Sequence, residues 1–320
     1  MAMPIKRRFI GIDVSKKELA ICLGADKPLL ILSNTKQEIG RWVKGLPGNA
    51  CLALEATNTF HLEVLEQAHH RGLTVYVVDG FRLSRYRDSL GGRVKNDSSD
   101  ARLLLRYVEK EHAELRPWSP PCDGYRAIQQ LLHRRATLVK AKVALKQSLS
   151  GISELEEAFE RLLREIHQLD LQIQRRMRQT IREHGWRDDV RRCSAIEGIG
   201  FLNAVALVMA FRRGDFKSSD AFVAFIGLDV RVKESGTYKG KRRLTKKGDP
   251  EIRRLLHTAA MAAQSSATWA PFYQRCLQRG FSKIQALVAL ARKLARTAFA
   301  LLKQQTLYRQ NAQIEVAHAA

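Results

Sequence analysis

Arg8-Phe9-Ile10-Gly11-Ile12-Asp13-Val14-Ser15 is the stretch that decides how the rest of the chain is read. Apolar and β-branched residues run into an acid, and Lys16 and Lys17 follow at once. That is the pattern of a buried strand that carries Asp13 to its end and then turns. Cys51-Leu52-Ala53-Leu54-Glu55 repeats it, an apolar strand ending in an acid. Lys95-Asn96-Asp97-Ser98-Ser99-Asp100-Ala101 adds two more acids ahead of the helical run Arg102 to Tyr107. Residues three apart on a helix share a face, so Asp97 and Asp100 are expected to point at one spot. A single acid at a strand end is ordinarily a cap or a solvated group. Four of them in this order make a candidate constellation.

Around these acids, Ile5 to Asp13, Glu18 to Leu23 and Pro28 to Leu32 are expected as three consecutive strands, a meander closed at Gly24-Ala25-Asp26. Thr35 caps a helix through about Lys44, which Gly45, Pro47 and Gly48 end. Cys51 to Glu55 is the next strand, Thr59 to Arg71 a helix stopped by Gly72, and Leu73 to Asp79 a continuous apolar strand of a mixed sheet. This succession, closed by a late helix, is the order of the ribonuclease-H-like α/β fold. There, strands one and four bring their acids side by side and the late helix supplies the last ones.

Charge points to the partner. The 320 residues carry 55 Lys and Arg against 32 Asp and Glu, a net +23, so polyanions come first. Met1 to Arg116 holds 19 basic and 14 acidic residues, a net of +5; the remainder holds 36 and 18, a net of +18. The acids therefore lie in the less basic part and the polyanion-binding surface mostly elsewhere. The five cysteines are scattered, with no CxxC pair, which argues against a disulfide framework or a zinc site and fits a reducing compartment. The absence of an apolar signal core, and of any apolar run of membrane-spanning length, predicts a soluble, cytoplasmic protein with no membrane partner.

Arg116-Pro117-Trp118-Ser119-Pro120-Pro121 is a predicted linker, since its prolines cannot continue a helix. It leads into Tyr125 to Leu149, a helical run, then a capping box at Ser153 and Glu156. Leu155, Phe159, Leu162, Ile166, Leu169 and Ile173 follow with heptad spacing, continued by Met177 and Ile181. A long helical hairpin ending at His184-Gly185 is expected, with its seam packed on itself or on another protomer. Arg175, Arg176, Arg178 and Arg182 read by default as a solvated face, with nucleic-acid contact as the lesser alternative. Ile196-Glu197-Gly198-Ile199-Gly200 ahead of the apolar run Leu202 to Phe211 has two readings. In one, the backbone at Gly198 and Gly200 meets a phosphate at a helix N-terminus, as in half of a helix-hairpin-helix element. In the other it is a tight turn between core helices. Ser219 to Gly227 is a second short helix. Lys233 to Gly248 is glycine-punctuated and basic, an exposed loop whose Lys239, Lys241, Arg242, Arg243, Lys246 and Lys247 suit a phosphate backbone. Ser235 within it reads, by itself, as a turn serine. Pro250 starts a helix to Ala263, and Ser282 to Lys303 is a closing helix with Ile284, Leu287, Val288, Leu294 and Leu301 as its core face. Beyond Tyr308 a polar, frayed tail is expected.

Over nearly its whole length the chain resembles the transposases of the insertion-sequence-110 family, a group that includes Piv-type DNA invertases. The resemblance rests on Gly11-Ile12-Asp13-Val14-Ser15-Lys16, Leu54-Glu55-Ala56-Thr57, Lys95 to Arg102, Ile196 to Gly200, Phe225-Ile226-Gly227-Leu228, Glu234-Ser235-Gly236 and Lys246-Lys247-Gly248-Asp249-Pro250. It departs at Asn58, where many members have glycine, and at Val230, where proline is common. The resemblance implies a RuvC-like DEDD domain over residues 1–116, a linker and coiled-coil hairpin over 117–187, and a mainly α C-terminal domain with a catalytic serine over 188–320. It further implies Asp13, Glu55, Asp97 and Asp100 as the DEDD acids and Ser235 as nucleophile. Recombination of donor and target DNA would be guided by a structured bridge RNA, in a bacterial cytoplasm and at the nucleoid when acting.

Four clustered carboxylates repel one another unless a cation sits among them, and hard oxygen ligands suit Mg²⁺ (or Mn²⁺). A serine hydroxyl needs activation to attack a phosphodiester. Strand exchange needs two DNA sites held together, so a homodimer or homotetramer is expected. Three rivals remain: a metal-dependent hydrolytic nuclease of the junction-resolvase kind with Ser235 incidental, an actin-like kinase, and a non-enzymatic nucleic-acid scaffold. The charge, and the lack of a second phosphate loop, weigh against the kinase.

Overall fold

In a computed structural model, the structure describes residues 7–91, 97–231, 234–235, 238–240 and 242–309, with the side chains of 97–99, 234–235 and 238–239 left aside. The chain forms two compact units, Met1–Pro120 and Pro121–Ala320.

The first unit is a mixed sheet with helices on both faces. Its strands are β1 (Arg8–Val14), β2 (Glu18–Cys22), β3 (Leu30–Ser33), β4 (Ala50–Glu55) and β5 (Thr74–Val78), in the order β3-β2-β1-β4-β5. β1, β2 and β3 are antiparallel neighbours, whereas β4 lies parallel to β1 and β5 parallel to β4. The meander and the two crossovers are those expected from the sequence. Helix α1 (Lys36–Lys44) begins as anticipated at Thr35, whose side chain accepts from the Glu38 N–H. Helix α2 (Leu62–His70) starts later than anticipated, because Thr59 to His61 form a turn before it. Ile10, Ile12, Leu19 and Ile21 on one face of the sheet pack on Ile39, Val43, Val64 and Leu65 of these two helices.

The other face carries α3 (Gly80–Ser89) and α4 (Asp97–Glu111). Successive strand residues alternate between faces, so Gly11 and Asp13 share the α4 side. A Cβ at Gly11 would meet the Ala101 carbonyl oxygen at 2.1 Å, so α4 lies directly on β1 there. Ala20, Cys22, Ala101 and Leu105 complete that contact. The predicted linker is not free chain. The Trp118 N–H donates to the Val75 carbonyl at 2.7 Å, and its ring meets His69 edge-on at 5.7 Å.

The second unit is helical. Its elements are α5 (Asp123–Leu149), α6 (Glu156–Glu183), α7 (Arg187–Ser194), α8 (Phe201–Arg212) and α9 (Ser219–Ile226), then short strands β6 (Val230–Arg231), β7 (Glu234–Ser235), β8 (Tyr238–Lys239) and β9 (Arg243–Leu244), then α10 (Pro250–Ala263), α11 (Ala270–Gln278) and α12 (Lys283–Gln304). The base of the α5–α6 hairpin, through Tyr125, Ile128, Leu132, Met177 and Ile181, belongs to the same core as α8, α10 and α12. Farther along, α6 turns Leu163 inward and leaves Leu155, Leu162 and Leu169 exposed, so only part of the heptad seam is covered within the chain. The capping box at Ser153 does not form: Ser153–Leu155 is a 3-10 turn, and α6 starts at Glu156 without a side-chain cap. On α12 the core face runs through Ala286, Leu287, Leu290 and Leu294, and Ile284 in its first turn is 68% exposed, contrary to the sequence pattern. The predicted tail lies outside the described residues except for its first positions.

Asp189 fastens this core. It is 3% exposed and accepts from Arg192 Nη1 at 3.0 Å, from Gln305 Nε2 at 3.2 Å and from Arg212 Nη2. Asp189 to Ala leaves two guanidinium groups without their carboxylate, a loss of about 3 kcal/mol, at the low end for a buried pair because Arg212 is partly solvated. The urea midpoint of the helical unit should fall at unchanged slope.

Candidate active site

The sheet register settles where two of the four acids stand. Ile12 of β1 is level with Leu54 of β4 in the parallel ladder, so the next residues, Asp13 and Glu55, are level as well. Neighbouring strands are roughly 4.8 Å apart, and level residues of parallel strands face the same side. Both acids, half-buried, thus stand at the C-terminal ends of adjacent strands on the face covered by α3 and α4.

Helix α4 brings the other two to that end. Ala101 and Leu105 lie over Gly11, and the Phe9 ring is 4.7 Å from that of His112, just past the C-terminus of α4. The helix therefore runs antiparallel to β1, with the turn bearing Asp97 and Asp100 toward Asp13. The Asp100 carboxylate accepts from Arg87 Nη2 of α3 at 2.5 Å, and both side chains are less than one-fifth exposed. The side chain of Asp97 lies outside the described residues.

Two residues of this site were not foreseen in the sequence. Helix α3 is signalled only by Asp79, whose side chain caps it by accepting from the Arg82 N–H at 3.0 Å. With Leu83 as its one buried residue and four arginines or aspartates around it, α3 has no apolar period to read. Yet it supplies Arg87 and Gly80. A Cβ at Gly80 would stand 2.2 Å from Glu55 Oε1, so the carboxylate rests against the bare backbone of the first turn of α3. Helix N-termini favour anions there. Gly80 to Ala is expected to push the Glu55 carboxylate aside while the fold holds, since alanine suits a helix better than glycine. Misplacement by about an ångström costs on the order of 10²-fold in rate. Strand-cleavage rate and urea midpoint measured side by side check this: the first should drop and the second should not.

The donor set is all oxygen, which fits a hard divalent cation. Among the described residues no three His, Cys, Asp or Glu side chains are already grouped as a metal cage. The fit therefore rests on the paired strand ends Asp13 and Glu55, with α4 directed toward them.

The second unit positions Ser235. Glu234–Ser235 pairs with Tyr238–Lys239, Ser235 opposite Tyr238, and Val230–Arg231 pairs with Arg243–Leu244. Among the described residues the basic segment, expected as an exposed loop, thus carries two short antiparallel strand pairs. Arg242, Arg243, Lys246 and Lys247 are exposed, whereas Lys241 and the side chain of Lys239 lie outside the described residues. Asp249 anchors the far end: it caps α10 by accepting from the Glu251 N–H and lies 2.8 Å from His133 Nε2. Of the two glycines, Gly198 (φ +86°) is pressed on α10, where a Cβ would meet that of Ala263 at 2.5 Å. Gly200 caps α8 and is exposed. The core-turn reading therefore describes Gly198, and the open helix end is at Gly200.

No helix among the described residues is long and apolar enough to cross a membrane. The family model described as "Transposase", that of the DEDD transposases of the IS110 type, matches residues 10–160, and the one described as "Transposase IS116/IS110/IS902 family" matches residues 190–274. The chain is 28% identical over 320 residues to the pilin gene-inverting protein of Moraxella bovis, covering 94% of this chain and 97% of that one. It is 33% identical over 362 residues to a probable family 20 transposase of Pseudomonas aeruginosa, covering 94% and 98%. The chain belongs to the IS110 family of transposases and is an enzyme of DNA recombination.

Proposed function

We propose that the chain is the recombinase of an insertion element, cutting and rejoining donor and target DNA with Ser235 as covalent nucleophile. The sheet order β3-β2-β1-β4-β5 supports a ribonuclease-H-like, RuvC-like first unit. The observation that carries the reading is the level placement of Asp13 and Glu55 on parallel strands, with α4 directed at them. A DEDD transposase domain points to a divalent metal. Asp13, Glu55, Asp97 and Asp100 would hold it, and oxygen ligands on a phosphate substrate favour Mg²⁺ (or Mn²⁺). When bound, the ion stabilises charge on the attacked phosphate and acidifies a bound hydroxyl.

Ser235 Oγ attacks the phosphorus of one strand. The Ser–O–P bond forms as the bond to the departing DNA oxygen breaks; the serine proton passes to a carboxylate or to solvent, and the departing oxygen takes up a proton from the same source and leaves as a hydroxyl. A hydroxyl of the second DNA then attacks the phosphoserine, and Ser235 is released. Energy of the broken bond is kept in the covalent link, so rejoining needs no external source. Lys239, Lys241, Arg242, Arg243, Lys246 and Lys247 around Ser235 hold the backbone. A homodimer or homotetramer aligns two duplexes, with the exposed Leu155, Leu162 and Leu169 as one interface. A structured RNA guides the choice of target, and the work is done in the cytoplasm at the nucleoid.

The test is incubation of the full chain with its element's ends, target DNA and flanking transcript. Joined products should form with Mg²⁺ and vanish with chelator. Equal product in chelator, or RNA-independent choice of target, contradicts the reading.

A further inference from the structure

Where α6 ends, Gly185 (φ +68°) turns the chain into α7, and a surface cavity of about 1150 Å³ opens between α6, α7 and the start of α8. Arg178 and Arg182, one turn apart on α6, line it together with Arg187 and Arg191, one turn apart on α7. The one acid in its lining is Asp188. Like charges one turn apart repel, so two such pairs facing the same space act against folding.

The neighbouring arginines are treated differently. Arg176 pairs with Glu183, and Arg192 and Arg212 with Asp189. Among the described residues, none of the four cavity arginines has an ion-pair partner. Arg178 instead stacks on the Phe201 ring, 3.8 Å from its centroid, which holds its planar group at the mouth of α8. That helix is capped at Gly200 without a side-chain hydrogen bond, and Ile199, Gly200 and Phe201 at its start line the cavity.

We infer that this cavity is a binding site for consecutive backbone phosphates of a nucleic acid, distinct from the acid cluster and from the Ser235 hairpin. Planar guanidinium groups match phosphate oxygens bidentately. The space is too large for one inorganic anion and takes a run of two or more nucleotides. Phosphodiesters are common to DNA and to a structured RNA, and the site is stated for that shared chemistry. The inference rests on the chain being a nucleic-acid recombinase and deepens it.

The test uses the full chain in chelator, where no strand is cut. Equilibrium binding to an element-end DNA duplex and, separately, to the flanking transcript is measured across a salt series. The double variant Arg182→Ala/Arg191→Ala should lose tenfold or more in affinity for at least one of the two. Its salt slope should shrink by about 0.9 per lost phosphate contact for duplex DNA, or about 0.7 for single strands. Arg176→Ala, on the same helix but outside the cavity, should bind as the wild type does. The arm that weakens names the source, DNA or RNA. Wild-type binding with an unchanged double variant overturns the cavity alone, as does an equal loss in Arg176→Ala. A wild type that binds neither nucleic acid overturns the recombinase reading with it. Circular dichroism of the double variant keeps misfolding apart from lost contact.

Discussion

Asp13 to Asn abolishes strand cleavage, lowering the rate about 10³-fold or more, while the chain stays folded. The substitution keeps the shape of a half-buried side chain on β1 and removes one charge from a pair set level across parallel strands. Loss of several kcal/mol of charge stabilisation at the phosphate corresponds to a factor of this size. Stability should change far less, since asparagine keeps the size of the side chain and its capacity to hydrogen-bond. Cleavage of element-end DNA in Mg²⁺, beside a thermal melt in chelator, reads both effects. Retained cleavage would mean that Asp13 is a strand-end group and nothing more.

Ser235 to Ala has the second large effect, and it separates transfer from hydrolysis. A recombinase that attacks through Ser235 Oγ loses cleavage, joining and every covalent intermediate together, because that oxygen carries the phosphoryl group between the two DNAs. A hydrolytic nuclease keeps cleavage, since water is the nucleophile. Alanine removes one hydroxyl from a two-residue strand pairing whose hydrogen bonds are made by the backbone, so folding should be unaffected. Recombination of a two-site plasmid and nicking of a one-site plasmid, measured on the same preparation, give the two readouts.

How much of this was legible depends on whether the signal was local. Strands β1, β4 and β5 are continuous apolar runs, and their ends fall within a few residues of those expected, so the pairing of Asp13 with Glu55 follows from order alone. Thr35 as a cap was equally plain, a side-chain acceptor directly ahead of the helical run. Helix α3 was not, since of its side chains only Leu83 and Tyr86 pack on the neighbouring core, a pair too short to make a period. Arg87 was hidden with it. Ser153 and Glu156 have the spacing of a cap, yet the 3-10 turn at Ser153 sets the start of α6 and leaves the motif unused. Leu155, Leu162 and Leu169 have heptad spacing, but Leu163 is the residue that is buried, a shift that only the geometry of the hairpin decides. Of the cavity arginines, Arg178 and Arg182 read first as a solvated face and Arg187 and Arg191 carry no signal of their own, because α6 and α7 meet only after Gly185 reverses the chain.

The most direct measurement is the identity of the residue that DNA is attached to. Reaction of the full chain with its nucleic acids and Mg²⁺, quenched in denaturant, digested with nuclease and protease and analysed by mass spectrometry, should yield a nucleotide-bearing peptide with the phosphate on Ser235. Phosphate on any other side chain, or complete cleavage with no linked peptide, contradicts the proposal that this transposase cuts by joining DNA to itself.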